Sequence, residues 1–156
     1  MSIKLALAVQ YGTQTPELPR WRLRRWIRQA LDAITPYAPQ GMQVAALTLR
    51  LVDAQEGQEL NRQFREKDYA TNVLTFEYGL DPDGTLNGDI VLCVPVLERE
   101  AREQNKTLLN HAAHLTVHGV LHSLGYDHID PDEAQEMEAL EIQILGKMGI
   151  ANPYQA

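Results

Sequence analysis

Thr116-Val117-His118-Gly119-Val120-Leu121-His122-Ser123-Leu124-Gly125-Tyr126-Asp127-His128 is the stretch around which the chain is organised. His118 and His122 stand four residues apart in an apolar run, so on a helix their imidazoles leave one face on successive turns. A straight helix would carry His128 roughly 9 Å further along the axis, out of reach of the same ion. Gly125 provides the way back, because glycine enters the left-handed conformation at little steric cost and a helix ending there can aim His128 at the other two. Three neutral imidazoles with one open position form the catalytic pattern of zinc sites, whereas structural sites are closed by protein ligands. Nickel is the alternative ion, since imidazole accepts both. A rival set of His114, His118 and His122 shares one stripe but spans about 12 Å of axis, too far for a single ion. His114 therefore reads as a group that supports the ligands, and His111 as a helix-surface residue.

The histidine spacing also matches that of the metzincin peptidases, His-Glu-x-x-His-x-x-Gly-x-x-His, but Gly119 occupies the glutamate position. In those enzymes the glutamate takes a proton from the attacking water, and glycine has no group to do so. A metzincin-like metallopeptidase thus stands as a rival reading without its general base.

His118, Gly119, Leu121, His122, Gly125, Tyr126, Asp127 and His128 together resemble the signature of the YbeY family, metal-dependent single-strand endoribonucleases of ribosomal RNA maturation. Upstream, Asn61, Phe64, Arg65, Asp68, Thr71, Asn72, Val73, Leu74, Thr75 and Phe76 resemble the family's second block, and Gly88-Asp89-Ile90 its third. The chain departs at Ala70 and Glu77, where proline is common, and at Thr75, where serine is common. The resemblance implies His118, His122 and His128 as ligands of one zinc ion and Arg65 and His118 as catalytic residues. It further implies action in ribosomal RNA processing, including 16S rRNA 3′-end maturation, and in ribosome quality control. The partners it implies are single-stranded RNA, ribosomal RNA and ribosomal subunits. A ribosome-associated binding module with a structural metal is the second rival.

Cleaving a phosphodiester needs positive charge against oxygens that gain charge in the transition state. Arg65 suits that role because guanidinium offers paired donors and stays charged at any working pH; a loop arginine bonded to carbonyls or to Asp68 is the plainer alternative, and the resemblance favours the first. The proton acceptor stays open, with metal-generated hydroxide and the RNA 2′-hydroxyl as the two attacking groups. Asp127 could orient His128, and Tyr126 could cover the site.

A chain of 156 residues with 44% hydrophobic composition fits one domain, residues 1–156, with a sizeable core. The single Cys93 excludes an internal disulfide and lies in an apolar run, which suits a buried thiol and a reducing cytoplasm. Neither a signal peptide nor a run of membrane-spanning length is expected, and no DNA partner. The net charge of −7 is unevenly spread. Lys4, Arg20, Arg22, Arg24, Arg25, Arg28 and Arg50 crowd the first fifty residues, while Asp130, Asp132, Glu133, Glu136, Glu138 and Glu141 crowd the end. The arginine face of the first helix reads either as a solvated surface or as a phosphate-contacting one.

Periodicity and punctuation predict strands at 3–11, 44–52, 72–78 and 89–94 and helices at 19–34, 53–65, 95–104, 107–124 and 130 onward. Residues 79–88 read as a long exposed turn. The order β-α-β-α-β-β-α-α-α is that of an α+β domain with a small sheet covered by helices, the metal site lying on a helix near the C-terminal third; the resemblance makes that sheet mixed and four-stranded.

Overall fold

In the computed structural model, which describes residues 3–125 and 131–154, four strands and five helices follow one another in the order expected. β1 (Lys4–Tyr11) leads through α1 (Arg20–Ile34) and a 3₁₀ turn (Thr35–Tyr37) to β2 (Val44–Val52). Then come α2 (Ala54–Arg65), β3 (Val73–Leu80), β4 (Thr85–Cys93), α3 (Val94–Glu103), α4 (Leu108–Ser123) and α5 (Pro131–Lys147). The sheet is mixed, in the order β1-β2-β4-β3, with β3 antiparallel to β4 and the other pairings parallel. β2 and β4 are therefore central, and β1 and β3 are the edges.

Alternation decides which face each strand residue serves. Leu47, Leu49 and Leu51 of β2 and Leu86, Ile90 and Leu92 of β4 join Leu23, Ile27, Leu31 and Ile34 of α1 and Val117, Val120 and Leu121 of α4 in the main core. Trp26 of α1 is buried with them, although its neighbour Trp21 is 59% exposed. The opposite face holds a smaller cluster of Val52, Leu74, Val91, Cys93 and Val96, backed by Leu60, Ala70 and Phe76. Cys93 is buried there, as its apolar run suggested, and burial pushes its thiol pKa up.

Local chemistry fixes the helix starts. Asp53 caps α2 by accepting from the Glu56 amide at 2.9 Å, and Thr107 caps α4 by accepting from the Asn110 amide at 3.1 Å. Glu56 takes Arg50 in a two-pronged ion pair of 2.6 and 3.0 Å.

The turn between β3 and β4 is shorter than the composition suggested. Asp81 folds it by accepting from the Thr85 amide at 3.1 Å, Gly84 takes a positive φ of 89°, and Thr85, Leu86 and Asn87 already pair as strand. Their polar and glycine-rich neighbours resemble loop in sequence, but ladder hydrogen bonds on both sides of a central strand outweigh that preference.

α4 lies unusually close to β4. A Cβ at Gly119 would stand 2.8 Å from Ile90 Cγ2, and one at Gly88 would stand 3.2 Å from Ser123 Cβ. Gly119→Ala should therefore destabilise the protein by about 1–2 kcal/mol, overpacking outweighing the better helix propensity of alanine. Gly119→Glu should cost more, by forcing a carboxylate towards the core. Chemical denaturation of the two variants checks the order.

Candidate metal and active site

The close approach of α4 brings its histidine face beside the edge strand β3. His118 and His122 lie one turn apart with ring centroids separated by 6.3 Å. Gly125 follows the last residue of the helix cap with φ of 100°, the left-handed region that suits glycine. Tyr126, Asp127, His128 and Asp130 lie outside the described residues, and so does the expected return of the third histidine. Among the described residues no three His, Cys, Asp or Glu side chains gather as a metal-binding group.

Each of the two histidines has a carboxylate beside its Nδ1. Glu141, fully buried on α5, lies 3.0 Å from His118 Nδ1 and 3.2 Å from His114 Nε2, and accepts from the Tyr154 hydroxyl at 2.6 Å. Burial pushes the Glu141 carboxyl up, but hydrogen bonds from His114, His118 and Tyr154 outweigh it and hold the pKa at about 2. An ionised carboxylate only accepts, so the proton of a neutral His118 sits on Nδ1 and the ring's lone pair on Nε2. Tyr154 pays the opposite shift: burial and the Glu141 carboxylate both raise its pKa. On the other side, His122 Nδ1 lies 2.8 Å from Thr75 Oγ1 and 2.9 Å from Glu77 Oε1.

Arg65, the last residue of α2, reaches the same strand. Its Nη2 donates to the Thr75 carbonyl at 2.8 Å and its Nη1 to the Phe64 carbonyl at 3.2 Å, with the guanidinium 5.1 Å from the Phe76 ring centroid. Thr75 thus touches Arg65 through its backbone and His122 through its side chain. Glu66, with φ of 59°, ends the helix, and buried Asn61 ties down the following loop by donating to the Tyr69 carbonyl at 2.8 Å.

His114 shares Glu141 with His118. His111 corrects the expectation of a surface residue. It is only 3% exposed and lies 2.9 Å from Glu100, which also accepts from Asn72; desolvation lowers its pKa although Glu100 opposes the shift. Glu141 and Tyr154 were not singled out from the sequence. The signal for Glu141 was present, because it lies four residues after Met137 and three before Ile144, on the stripe that α5 buries. Tyr154 gave no such signal.

The Gly119 contact bears on the rival with peptidase spacing. Position 119 faces Ile90, so a glutamate there would turn into the sheet packing.

A family model described as Endoribonuclease YbeY matches residues 8–149. An endoribonuclease YbeY of Bordetella pertussis is 63% identical over 156 residues, covering 100% of this chain and 99% of the relative. Those of Herminiimonas arsenicoxydans and Thiobacillus denitrificans are 54% and 50% identical, each over 97% or more of this chain. The solution structure of a Thermotoga maritima protein shares the fold, with a TM-score of 0.59 at 23% identity over 96% of this chain and 99% of that one.

Glu141 yields a prediction with a definite sign. Its folded pKa lies below the ordinary 4.5, so its contribution is complete above pH 4.5 and is lost as pH falls towards 2. The gap corresponds to roughly 3 kcal/mol. Denaturation curves between pH 6 and 2 should show that acid sensitivity in the wild type and a shallower one in Glu141→Gln. The match of family, length and motif blocks leads to one conclusion: the chain belongs to the YbeY endoribonuclease family.

Proposed function

We propose that this protein is a metal-dependent, single-strand-specific endoribonuclease of the cytoplasm. Its substrate in this reading is single-stranded ribosomal RNA, in 16S rRNA 3′-end maturation and ribosome quality control, with ribosomal subunits as partners and residues 1–156 acting as one domain. The observation that carries the reading is the junction at Thr75, where the phosphate-binding candidate Arg65 and the ligand candidate His122 meet. The relatives named as endoribonucleases support it.

The donor set fits a zinc ion. His118, His122 and His128 would hold it, and the carboxylates beside the Nδ1 atoms of the first two favour lone pairs on Nε2, the arrangement found around ligating histidines. When bound, such an ion supplies positive charge against phosphoryl oxygens. Arg65 supplies a second cation. Its side chain is exposed and two of its N–H groups are engaged with carbonyls; guanidinium carries five donors, so others remain for phosphate oxygens. Held at the end of α2 and stacked near Phe76, the group is preorganised for charge that develops during cleavage.

The purified protein should cleave single-stranded RNA, lose that activity to a chelator and regain it with zinc or nickel. His118→Ala and His122→Ala should lose metal and activity together. Arg65→Ala should keep its metal and its thermal stability yet cleave about 100-fold more slowly, and Arg65→Lys should restore little of this. Full metal occupancy without RNA cleavage would favour the binding-module reading instead.

For RNA holding, the internal bonds of α1 favour its solvated-face reading. Arg28 pairs with Asp32 at 2.9 Å, and Arg22 donates to the Glu17 carbonyl while lying 4.9 Å from the Trp21 ring centroid. α1 begins beside β1, where Arg20 donates to the Val9 carbonyl, and the sheet order separates that edge from β3 by three strand spacings, roughly 14 Å. Neutralising Arg22, Arg25 and Arg28 with glutamine should therefore leave the salt dependence of RNA affinity unchanged. Neutralising Arg62, Arg65 and Lys67 should flatten it, because fewer counterions are released.

A further inference from the structure

Glu77 lies on β3 two residues beyond Thr75, so their side chains leave the same face of the strand. Both reach one atom: Thr75 Oγ1 stands 2.8 Å, and Glu77 Oε1 2.9 Å, from His122 Nδ1. The two neighbours are not equivalent. A hydroxyl can donate or accept, so Thr75 alone is compatible with either tautomer of His122. If the hydroxyl donated, the proton of a neutral ring would sit on Nε2, where a metal ligand needs its lone pair. A carboxylate only accepts, and its negative charge favours the proton on Nδ1.

We propose that Glu77 is a positioning residue that holds the His122 proton on Nδ1 and so presents Nε2 to the metal. The inference rests on the reading of His122 as a metal ligand. It makes His118 and His122 a matched pair, with His118 oriented by Glu141 from α5 and His122 oriented by Glu77 from β3. Glu77 also stands at a position where the family block commonly has proline, so a carboxylate here departs from the block's usual residue. Glu141 is fully buried, whereas the Glu77 side chain is 42% exposed. Solvent screening places its effect at the lower end of the 10–100-fold range seen for groups that orient metal ligands, about 10-fold.

The test measures zinc affinity by chelator competition in the wild type, Glu77→Gln, Glu77→Ala and His122→Ala. Nitrogen-15 spectra of the metal-free protein report the His122 tautomer alongside. The expected result is one tight zinc site in the wild type, about 10-fold weaker in both Glu77 variants with unchanged melting, and a shift of neutral His122 towards the Nε2–H form in Glu77→Ala. Affinities within twofold of wild type and an unaltered tautomer would overturn the role of Glu77 while leaving the metal site standing. A wild type without bound zinc, or a His122→Ala variant that binds as tightly, would overturn both readings.

Discussion

The site depends first on how near α4 can come to β4. Two small contacts permit the approach, Gly119 against Ile90 and Ser123 against Gly88, with virtual Cβ distances of 2.8 and 3.2 Å. Interiors are packed too densely to absorb an extra group there without moving the helix. Since His122 rides on that helix, its height above the sheet sets where its ring meets Thr75 and Glu77. The glycine that replaces the peptidase glutamate thus has a packing reason of its own.

Two buried or half-buried carboxylates then fix the helix from two neighbouring helices. Glu100 of α3 joins Asn72, just ahead of β3, to His111, while Glu141 of α5 joins His114 and His118 to Tyr154 near the C-terminus. A carboxylate away from water is costly unless hydrogen-bonded, so each pair of contacts is strongly coupled to the fold. Removing one partner would leave a buried charge exposed to an apolar surround, not merely a missing bond. The histidines of α4 accordingly divide into two sets, His111 and His114 anchoring the helix and His118 and His122 standing as the candidate ligands at its C-terminal end.

β3 is the element on which the separate parts meet. Asn72, just ahead of it, bonds Glu100 of α3, Thr75 receives Arg65 and His122, and Glu77 stands beside His122. Beyond Glu77 the register shifts by one residue, and the Tyr78 hydroxyl donates to Asp89 at 2.8 Å. Such a bulge re-aims side chains at a strand edge; the strand's regular part carries Thr75 and Glu77 to His122, and its irregular part carries Tyr78 to Asp89.

The sequence by itself determined the nine elements and their order, because strand alternation, helical stripes, Asp53, Thr107 and Gly125 are local signals read within a few residues. It also determined the two-histidine face of α4 and the family, since those rest on residue identity and spacing. It misread the start of β4, where pairing with two neighbours overrides loop-like composition, and it placed His111 on the surface because a histidine's burial depends on a distant partner, Glu100. Tertiary structure alone decided that Glu141, one of many acidic residues on α5, is the buried one that orients His118, and that Arg65 and His122 share Thr75. Those relations join residues ten to forty-seven positions apart. Their geometry is set by the depth to which α4 sinks onto the sheet, a packing distance that no local pattern encodes.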